Sequence, residues 1–125
     1  MPNVPLVLIV VDEPDTMLQI QRDLEAGGYE TVLAADADTA LERLASLPVA
    51  VVVLDVMMPV RDGWTVLEAL QSRVDPPPTI IVSARAGPIQ LERASRMGAA
   101  ASLAAPFSAA DIRQAVTTAL AGAGT

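Results

Sequence analysis

Residues 6–12 read LVLIVVD, and residues 49–55 read VAVVVLD. Leu6–Val11 is a continuous apolar run, rich in β-branched residues and too short for a helix, which predicts a strand buried on both faces. Val49–Leu54 predicts a second strongly apolar strand. Each run is followed directly by a carboxylate, Asp12 in the first case and Asp55 in the second. The two stretches therefore predict two interior strands that both end on an aspartate.

Predicted strands and helices alternate along the rest of the chain. Further strands are expected at Glu30–Ala34, Thr79–Val82 and Ala99–Leu103. The expected helices run from the turn at Asp12–Asp15 to about Ala26, from the N-cap Asp36 to near Leu47, from Gly63 to about Arg73, over Ile89–Met97, and from the capping pattern at Ser108 to about Leu120. Such alternation predicts a parallel sheet with helices on both faces.

We expect one α/β domain over residues 1–125, with its core at about residues 4–121 and a flavodoxin-like doubly wound fold of five strands and five helices. One common strand order for such a sheet is 2-1-3-4-5. Strands 1 and 3 are then neighbours at the switch point, where ligands bind at the carboxyl ends of the strands. Asp12 and Asp55 should lie close together at that edge.

The composition excludes several chemistries. The 125 residues include no cysteine, histidine or lysine, and the formal net charge is −7. The chain therefore has no thiol nucleophile, no Cys-type zinc site and no Ser-His-Asp triad. The acidic balance argues against nucleic-acid binding, and no apolar run approaches the ~20 residues of a membrane span. Because the N-terminus also lacks the basic region of a secretory signal, we expect a cytoplasmic protein.

The predicted pair of carboxylates needs a partner of opposite charge. Two like charges 4 Å apart repel by roughly 4 kcal/mol at an effective dielectric of 20. A divalent cation between Asp12 and Asp55 would relieve this repulsion, and oxygen ligands suit magnesium. The alternative is that the two aspartates only cap the loops that follow their strands.

Four stretches of the sequence resemble a known family. VLIVVDEPD, VVVLDVMMPVRDG, IIVSA and APF occur in the order and spacing of the receiver domain of bacterial two-component response regulators. The resemblance covers roughly Val4 to Ala121, and LDVMMP followed by Asp62-Gly63 is its most specific part. It implies phosphorelay signalling by a phosphoacceptor that is not an enzyme, although its phosphotransfer and autodephosphorylation can be self-catalysed.

The resemblance also implies roles for individual residues. Asp55 matches the aspartate that accepts a phosphoryl group from a phosphohistidine, which gives an acyl phosphate. Asp12, Asp55 and the backbone carbonyl of Met57 match the Mg²⁺ ligands, and Glu13 is an additional candidate ligand. Ser83 matches the hydroxyl residue that contacts the phosphoryl group and helps to signal phosphorylation.

Three positions depart from the family pattern. Val11 stands where the family usually has a second acidic residue, so we expect Mg²⁺ to bind more weakly than is typical. Ala105 stands in place of an invariant lysine, and a hydrogen bond to a charged group is typically worth ~1.5–3 kcal/mol. Ser102 replaces the aromatic residue that many receivers rotate between two states. Attenuated switching is the expected result.

Three functions remain open on these grounds. The first is a receiver with an attenuated site, and the second is a pseudo-receiver that acts as a phosphorylation-independent protein-interaction module. The third is a flavodoxin-like cofactor protein, which the acidic loop Asp12–Asp15 disfavours because it would repel phosphate. The expected partners are a sensor histidine kinase or phosphotransfer protein, and a downstream protein or output domain outside this chain. A monomer or weak homodimer is expected, without nucleic-acid or membrane partners.

Overall fold

A computed structural model describes residues 4–57, 63–83, 87–104 and 107–123. These residues form five strands and five helices in strict alternation. The strands are β1 (Leu6–Val10), β2 (Glu30–Ala34), β3 (Val51–Leu54), β4 (Thr79–Ser83) and β5 (Ala101–Ala104). The helices are α1 (Pro14–Ala26), α2 (Ala37–Ser46), α3 (Gly63–Gln71), α4 (Pro88–Arg96) and α5 (Ala109–Ala123).

The sheet confirms the predicted fold class. Its strand order is β2-β1-β3-β4-β5, and every neighbouring pair is parallel. The order places β1 beside β3 and brings their carboxyl ends to one edge of the sheet. Among the described helices, none has the length and apolar character needed to span a membrane.

Both faces of the sheet are covered by apolar residues, because neighbouring residues of a strand point to opposite faces. One face packs against α1 and α5, and the other packs against α2, α3 and α4. On the first face the largest buried side chains of the two helices are Ile20, Leu24 and Ile112. On the second face Trp64 is only 9% exposed and anchors α3, with the Arg93 guanidinium 4.1 Å from the centre of its ring.

Local hydrogen bonds explain where the helices begin. Asp36 caps α2 as predicted, since its carboxylate accepts a hydrogen bond of 2.7 Å from the Thr39 amide. The predicted capping pattern at α5 is also present: Ser108 and Asp111 each accept a hydrogen bond from the other's backbone amide. Such caps satisfy amide groups that have no partner inside the helix.

Two strands begin two residues later than the sequence predicts, and the carboxyl ends of β1, β4 and β5 differ from the prediction by one residue each. β3 begins at Val51 and not at Val49, because the Val49 amide bonds locally to the Leu47 carbonyl. β5 begins at Ala101 and not at Ala99, because the Ala99 amide still bonds to the carbonyl of Ala94 at the end of α4. In both cases a neighbouring turn occupies the backbone groups that an earlier start of the strand would need.

Candidate functional site

The two predicted carboxylates lie at the same edge of the sheet. Val10 of β1 is paired with Leu54 of β3, so Asp12 follows the paired position by two residues and Asp55 follows it by one. The Asp55 amide donates a hydrogen bond of 2.9 Å to the Val10 carbonyl, which continues the ladder to the end of β3. The register therefore places the main chain of Asp12 and Asp55 at the same edge of the sheet, at the switch point.

Asp55 is a buried carboxylate held by the turn that follows it. Its residue is only 6% exposed, and its Oδ1 accepts a hydrogen bond of 2.8 Å from the Met57 amide. Burial of an ionised carboxylate is costly unless hydrogen bonds or a cation offset the lost hydration. The short turn at residues 55–57 supplies one such hydrogen bond and restricts the orientation of the carboxylate.

Glu13, the additional candidate ligand, is engaged at the start of α1. Its carboxylate accepts hydrogen bonds from the Thr16 amide at 2.7 Å, the Thr16 hydroxyl at 2.8 Å and the Asp15 amide at 3.3 Å. The bond from the Thr16 amide is the main cause, followed by the Thr16 hydroxyl, of a pKa for Glu13 below its ordinary value of 4.5. The sequence indicated acids at this helix start, but it did not identify Glu13 as the cap.

Val11, at the position of the family's second acid, is a core residue. It is 1% exposed, packs with the α1 and α5 side chains, and bonds through its amide to the Ala34 carbonyl. Within the ranges that the structure describes, no three acidic, histidine or cysteine side chains are grouped to hold a metal ion. The predicted donors Asp12, Asp55 and the Met57 carbonyl all lie within the described residues, and oxygen ligands of this kind suit Mg²⁺.

Of the remaining residues that the sequence singled out, some lie within the described chain and others lie outside it. Ser83 is the last residue of β4, two positions beyond the Ile81 that pairs with Leu54, so its main chain reaches the same edge of the sheet. Ser102 is exposed on β5. Ala105, which replaces the family's lysine, lies outside the described residues, as does Asp62.

Sequence reasoning missed one close contact at this site. The sequence predicts Gly63 only as the first residue of a helix after Asp62, but its amide also donates a hydrogen bond of 3.2 Å to the carbonyl of Val56, the residue after Asp55. Gly63 is also the first residue of α3. A glycine at the start of a predicted helix was the available signal, although its partner could not be read from the sequence.

Known sequences contain the same domain. The family model described as the response regulator receiver domain matches residues 7–117. The transcriptional regulatory protein PrrA of Mycobacterium tuberculosis is 32% identical over 108 residues, which cover 86% of this chain and 46% of PrrA. The response regulator MprA of Mycolicibacterium vanbaalenii is 39% identical over 82 residues, or 65% of this chain and 36% of MprA. The chain thus spans less than half the length of either relative.

Solved structures agree with the fold. The receiver domain of NtrX from Brucella abortus has a TM-score of 0.87 at 27% identity, covering 92% of this chain and 98% of that domain. A CheY-like response regulator receiver domain protein from Methanospirillum hungatei has a TM-score of 0.89 at 24% identity, covering 98% of each chain. At 24% identity, the similarity to the Methanospirillum hungatei protein shows the fold alone.

The fold and the site define a doubly wound α/β domain with a buried aspartate at the switch point of its sheet. The chain belongs to the response regulator receiver domain family. Members of this family serve in two-component phosphorelay signalling, generally without being enzymes, and they typically use Mg²⁺.

Proposed function

We propose that this chain accepts a phosphoryl group on Asp55 from a phosphohistidine of a sensor histidine kinase or phosphotransfer protein. The observation that carries the proposal is the buried Asp55 carboxylate, held by the Met57 amide at the carboxyl end of β3 and beside the end of β1 that leads to Asp12. A nucleophile in such a position is oriented before the donor arrives, and orientation is a large part of phosphoryl-transfer catalysis.

The proposed reaction is a displacement at phosphorus. An Asp55 carboxylate oxygen forms a bond to phosphorus, the bond from phosphorus to the imidazole nitrogen of the donor breaks, and the donor histidine leaves with the electron pair of that bond. The product is an acyl phosphate on Asp55. The Met57 amide restricts rotation of the carboxylate during the attack. Ser83, at the end of the neighbouring β4, is our proposed contact for the transferred group.

Asp12, Asp55 and the Met57 carbonyl are the residues that would hold Mg²⁺. When bound, the ion supplies positive charge that offsets the negative charge of the two carboxylates and the phosphoryl oxygens. Glu13 could join this set only by giving up its three hydrogen bonds at the start of α1. We therefore propose binding through Asp12, Asp55 and Met57, and weaker binding than in receivers with an acid in place of Val11.

We further propose that the conformational response to phosphorylation is attenuated. Ser102 is an exposed serine on β5 where many receivers have a rotating aromatic residue, and the sequence has Ala105 in place of the family's lysine. The downstream partner or output domain would read a smaller change than is usual. The segments that match this chain cover less than half of PrrA and of MprA. The partner or domain that responds to this change is therefore also part of the proposal.

Intact-protein mass spectrometry tests the proposed acceptor. We expect wild type, incubated with Mg²⁺ and a small phosphodonor such as acetyl phosphate, to gain the mass of one phosphoryl group. Asp55→Asn should gain none, because an amide oxygen is a poor nucleophile. Absence of the adduct on wild type, or an unchanged adduct on Asp55→Asn, would contradict the proposal.

A pseudo-receiver is the second candidate, and the burial of Val11 in the core favours it. Val11 fills the core at a position where the family usually has a site acid, and its side chain offers no oxygen ligand to a metal there. This function predicts a protein partner that binds wild type and Asp55→Asn with equal affinity. A partner that loses affinity for Asp55→Asn would favour the phosphorylated receiver instead.

A further inference from the structure

The first residue of α3 lies directly against the main chain that follows Asp55. A Cβ atom built on Gly63 would lie 2.6 Å from the Val56 Cα and 2.9 Å from the Asp55 carbonyl carbon, and it would overlap the Asp55 carbonyl oxygen. Real Cβ atoms do not approach other atoms this closely. All three neighbours are backbone atoms, so no change of side-chain rotamer could make room for a methyl group.

The core holds both sides of this contact. Val56 is completely buried, and the Asp55 amide is bonded to the Val10 carbonyl. On the other side, α3 is anchored by its buried residues Trp64, Val66, Leu67 and Leu70. A methyl group at position 63 would therefore have to displace a packed helix or the turn at residues 55–57, and close-packed interiors resist both movements.

The turn is the side that we expect to move. Helix α3 is anchored at four positions along its length, whereas the turn leaves the sheet immediately after β3 ends at Leu54. The same turn carries the Met57 amide, which bonds to the Asp55 carboxylate over 2.8 Å. It also carries the Met57 carbonyl assigned to the metal. A shift of this turn would therefore change the orientation of the carboxylate and the ligand set together.

We propose that Gly63 is a positioning residue for phosphoryl transfer to Asp55. Its missing side chain lets α3 pack against the turn in the arrangement that holds the carboxylate for attack. Gly63 touches neither the phosphoryl group nor the ion and acts only through the Asp55–Met57 turn. The inference rests on the proposed function of Asp55. Misplacement of a reacting group by about 1 Å can cost on the order of 100-fold in rate.

Gly63→Ala is the test variant, and Gly98→Ala is its matched control. Gly98 has φ +99°, and a Cβ there would lie 2.8 Å from the Gln71 side-chain carbon Cδ, so alanine is strained at this position too. Gly98 precedes the amino end of β5, at the edge of the sheet opposite Asp55. Both variants should lose stability, but only Gly63→Ala should disturb the acceptor.

The first measurement is the rate of adduct formation per folded molecule at saturating phosphodonor and Mg²⁺. We expect Gly63→Ala to lower this rate by about 10- to 100-fold, and Gly98→Ala to keep the wild-type rate. Both glycine variants are also made in a Thr79→Val background. This background should raise stability, because the Thr79 hydroxyl is buried without a hydrogen-bond partner among the described residues. An unchanged rate in Gly63→Ala, an equal loss in both variants, or a Gly63→Ala chain that stays unfolded in both backgrounds would overturn the proposal.

The second measurement needs no phosphoryl transfer. Hydrogen exchange of the Met57 amide, followed by NMR, reports whether its bond to Asp55 is kept. We expect Gly63→Ala to lose this protection while the core strands keep theirs, and Gly98→Ala to keep it. If wild type forms no adduct, the proposed function fails, yet Met57 exchange still decides the role of Gly63. Protection that survives in Gly63→Ala would overturn that role.

Discussion

The β3 and β5 strands of the same sheet are built very differently. All four residues of β3 are buried, and the strand leads directly to the buried carboxylate of Asp55. β5 alternates between half-buried and exposed residues, and α4 beside it buries only Ala94 among its nine residues. β3 lies in the interior of the sheet with strands on both sides, whereas β5 is an edge.

This difference separates the proposed acceptor, Asp55, from the edge of the sheet that we expect to respond to phosphorylation. Asp55 directly follows a buried interior strand, and its carboxylate accepts a hydrogen bond from the Met57 amide. Ser102, which stands in place of the family's rotating aromatic residue, lies exposed on the weakly packed edge. On our proposal, the acceptor would be intact while the response is reduced, because β5 has Ser102 in place of the aromatic residue that relays the change in many receivers.

The largest expected effect comes from leucine truncation in the two strands. Leu54→Ala should cost about 3 kcal/mol of unfolding free energy, because the side chain is completely buried and leaves a cavity. Leu103→Ala should cost roughly 1 kcal/mol, because a half-buried side chain loses less transfer free energy. Urea unfolding followed by the fluorescence of Trp64, the only tryptophan, measures both. Equal costs would remove the contrast between the two strands.

The same contrast explains how much of the fold could be predicted from sequence. The interior strands are continuous apolar runs, and their burial on both faces follows from that pattern alone. As in β3, whose start also lies two residues later than predicted, the start of β5 could not be read from the sequence, because the residues around it are mostly alanine and carry no periodic signal. There the boundary depends on one backbone hydrogen bond, from the Ala99 amide to the Ala94 carbonyl.

The candidate site shows a similar limit. The edge shared by Asp12 and Asp55 follows from strand order, which alternation and handedness restrict to few possibilities. The contact of Gly63 with the turn after Asp55 depends on where α3 packs, which a sequence pattern does not specify. Whether the Glu13 carboxylate turns toward its own helix or toward Asp12 likewise depends on competing local hydrogen bonds.

A smaller effect, of opposite sign, is expected at β4, which lies between the two contrasted strands. Thr79 is 1% exposed, and its hydroxyl has no hydrogen-bond partner within the described part of the chain. Thr79→Val should raise the unfolding free energy by about 1 kcal/mol, because a buried hydroxyl without a partner is replaced by a methyl group of similar size. Urea unfolding measures the gain.

Thr117→Val is the matched control for this substitution. The Thr117 hydroxyl is exposed and lies 2.6 Å from the Tyr29 hydroxyl, so valine there removes a hydrogen bond between α5 and the residue before β2. It should lower stability by about 0.5–1 kcal/mol. A loss of stability in Thr79→Val would contradict the prediction. It would show that β4, although buried like β3, depends on the hydroxyl of Thr79 for its stability.

The smallest expected effect is the pH dependence of the cap at α1, beside Asp12. The pKa of Glu13 lies below 4.5 in the folded chain because its carboxylate accepts bonds from the Thr16 amide and hydroxyl. The folded state therefore favours the ionised form. The stabilising contribution is fully present above the pKa of the unfolded chain, near 4.5. It is lost as the pH falls below 4.5 and through the lowered pKa of the folded chain.

Thr16→Val should move the Glu13 pKa part of the way back toward 4.5. NMR titration of the Glu13 carboxyl, with a chelator present to remove divalent ions, measures its pKa in wild type and in Thr16→Val.

The same cap decides how many carboxylates the site can offer to Mg²⁺. If Glu13 keeps its bonds to Thr16, added Mg²⁺ should shift the NMR signals of Asp12, Asp55 and Met57 while the Thr16 amide signal stays in place. A Thr16 amide that shifts with the same Mg²⁺ dependence as Asp12 would show that Glu13 leaves the cap for the ion. The acceptor region would then have recovered a third carboxylate despite Val11, and the expectation of weak Mg²⁺ binding would be wrong.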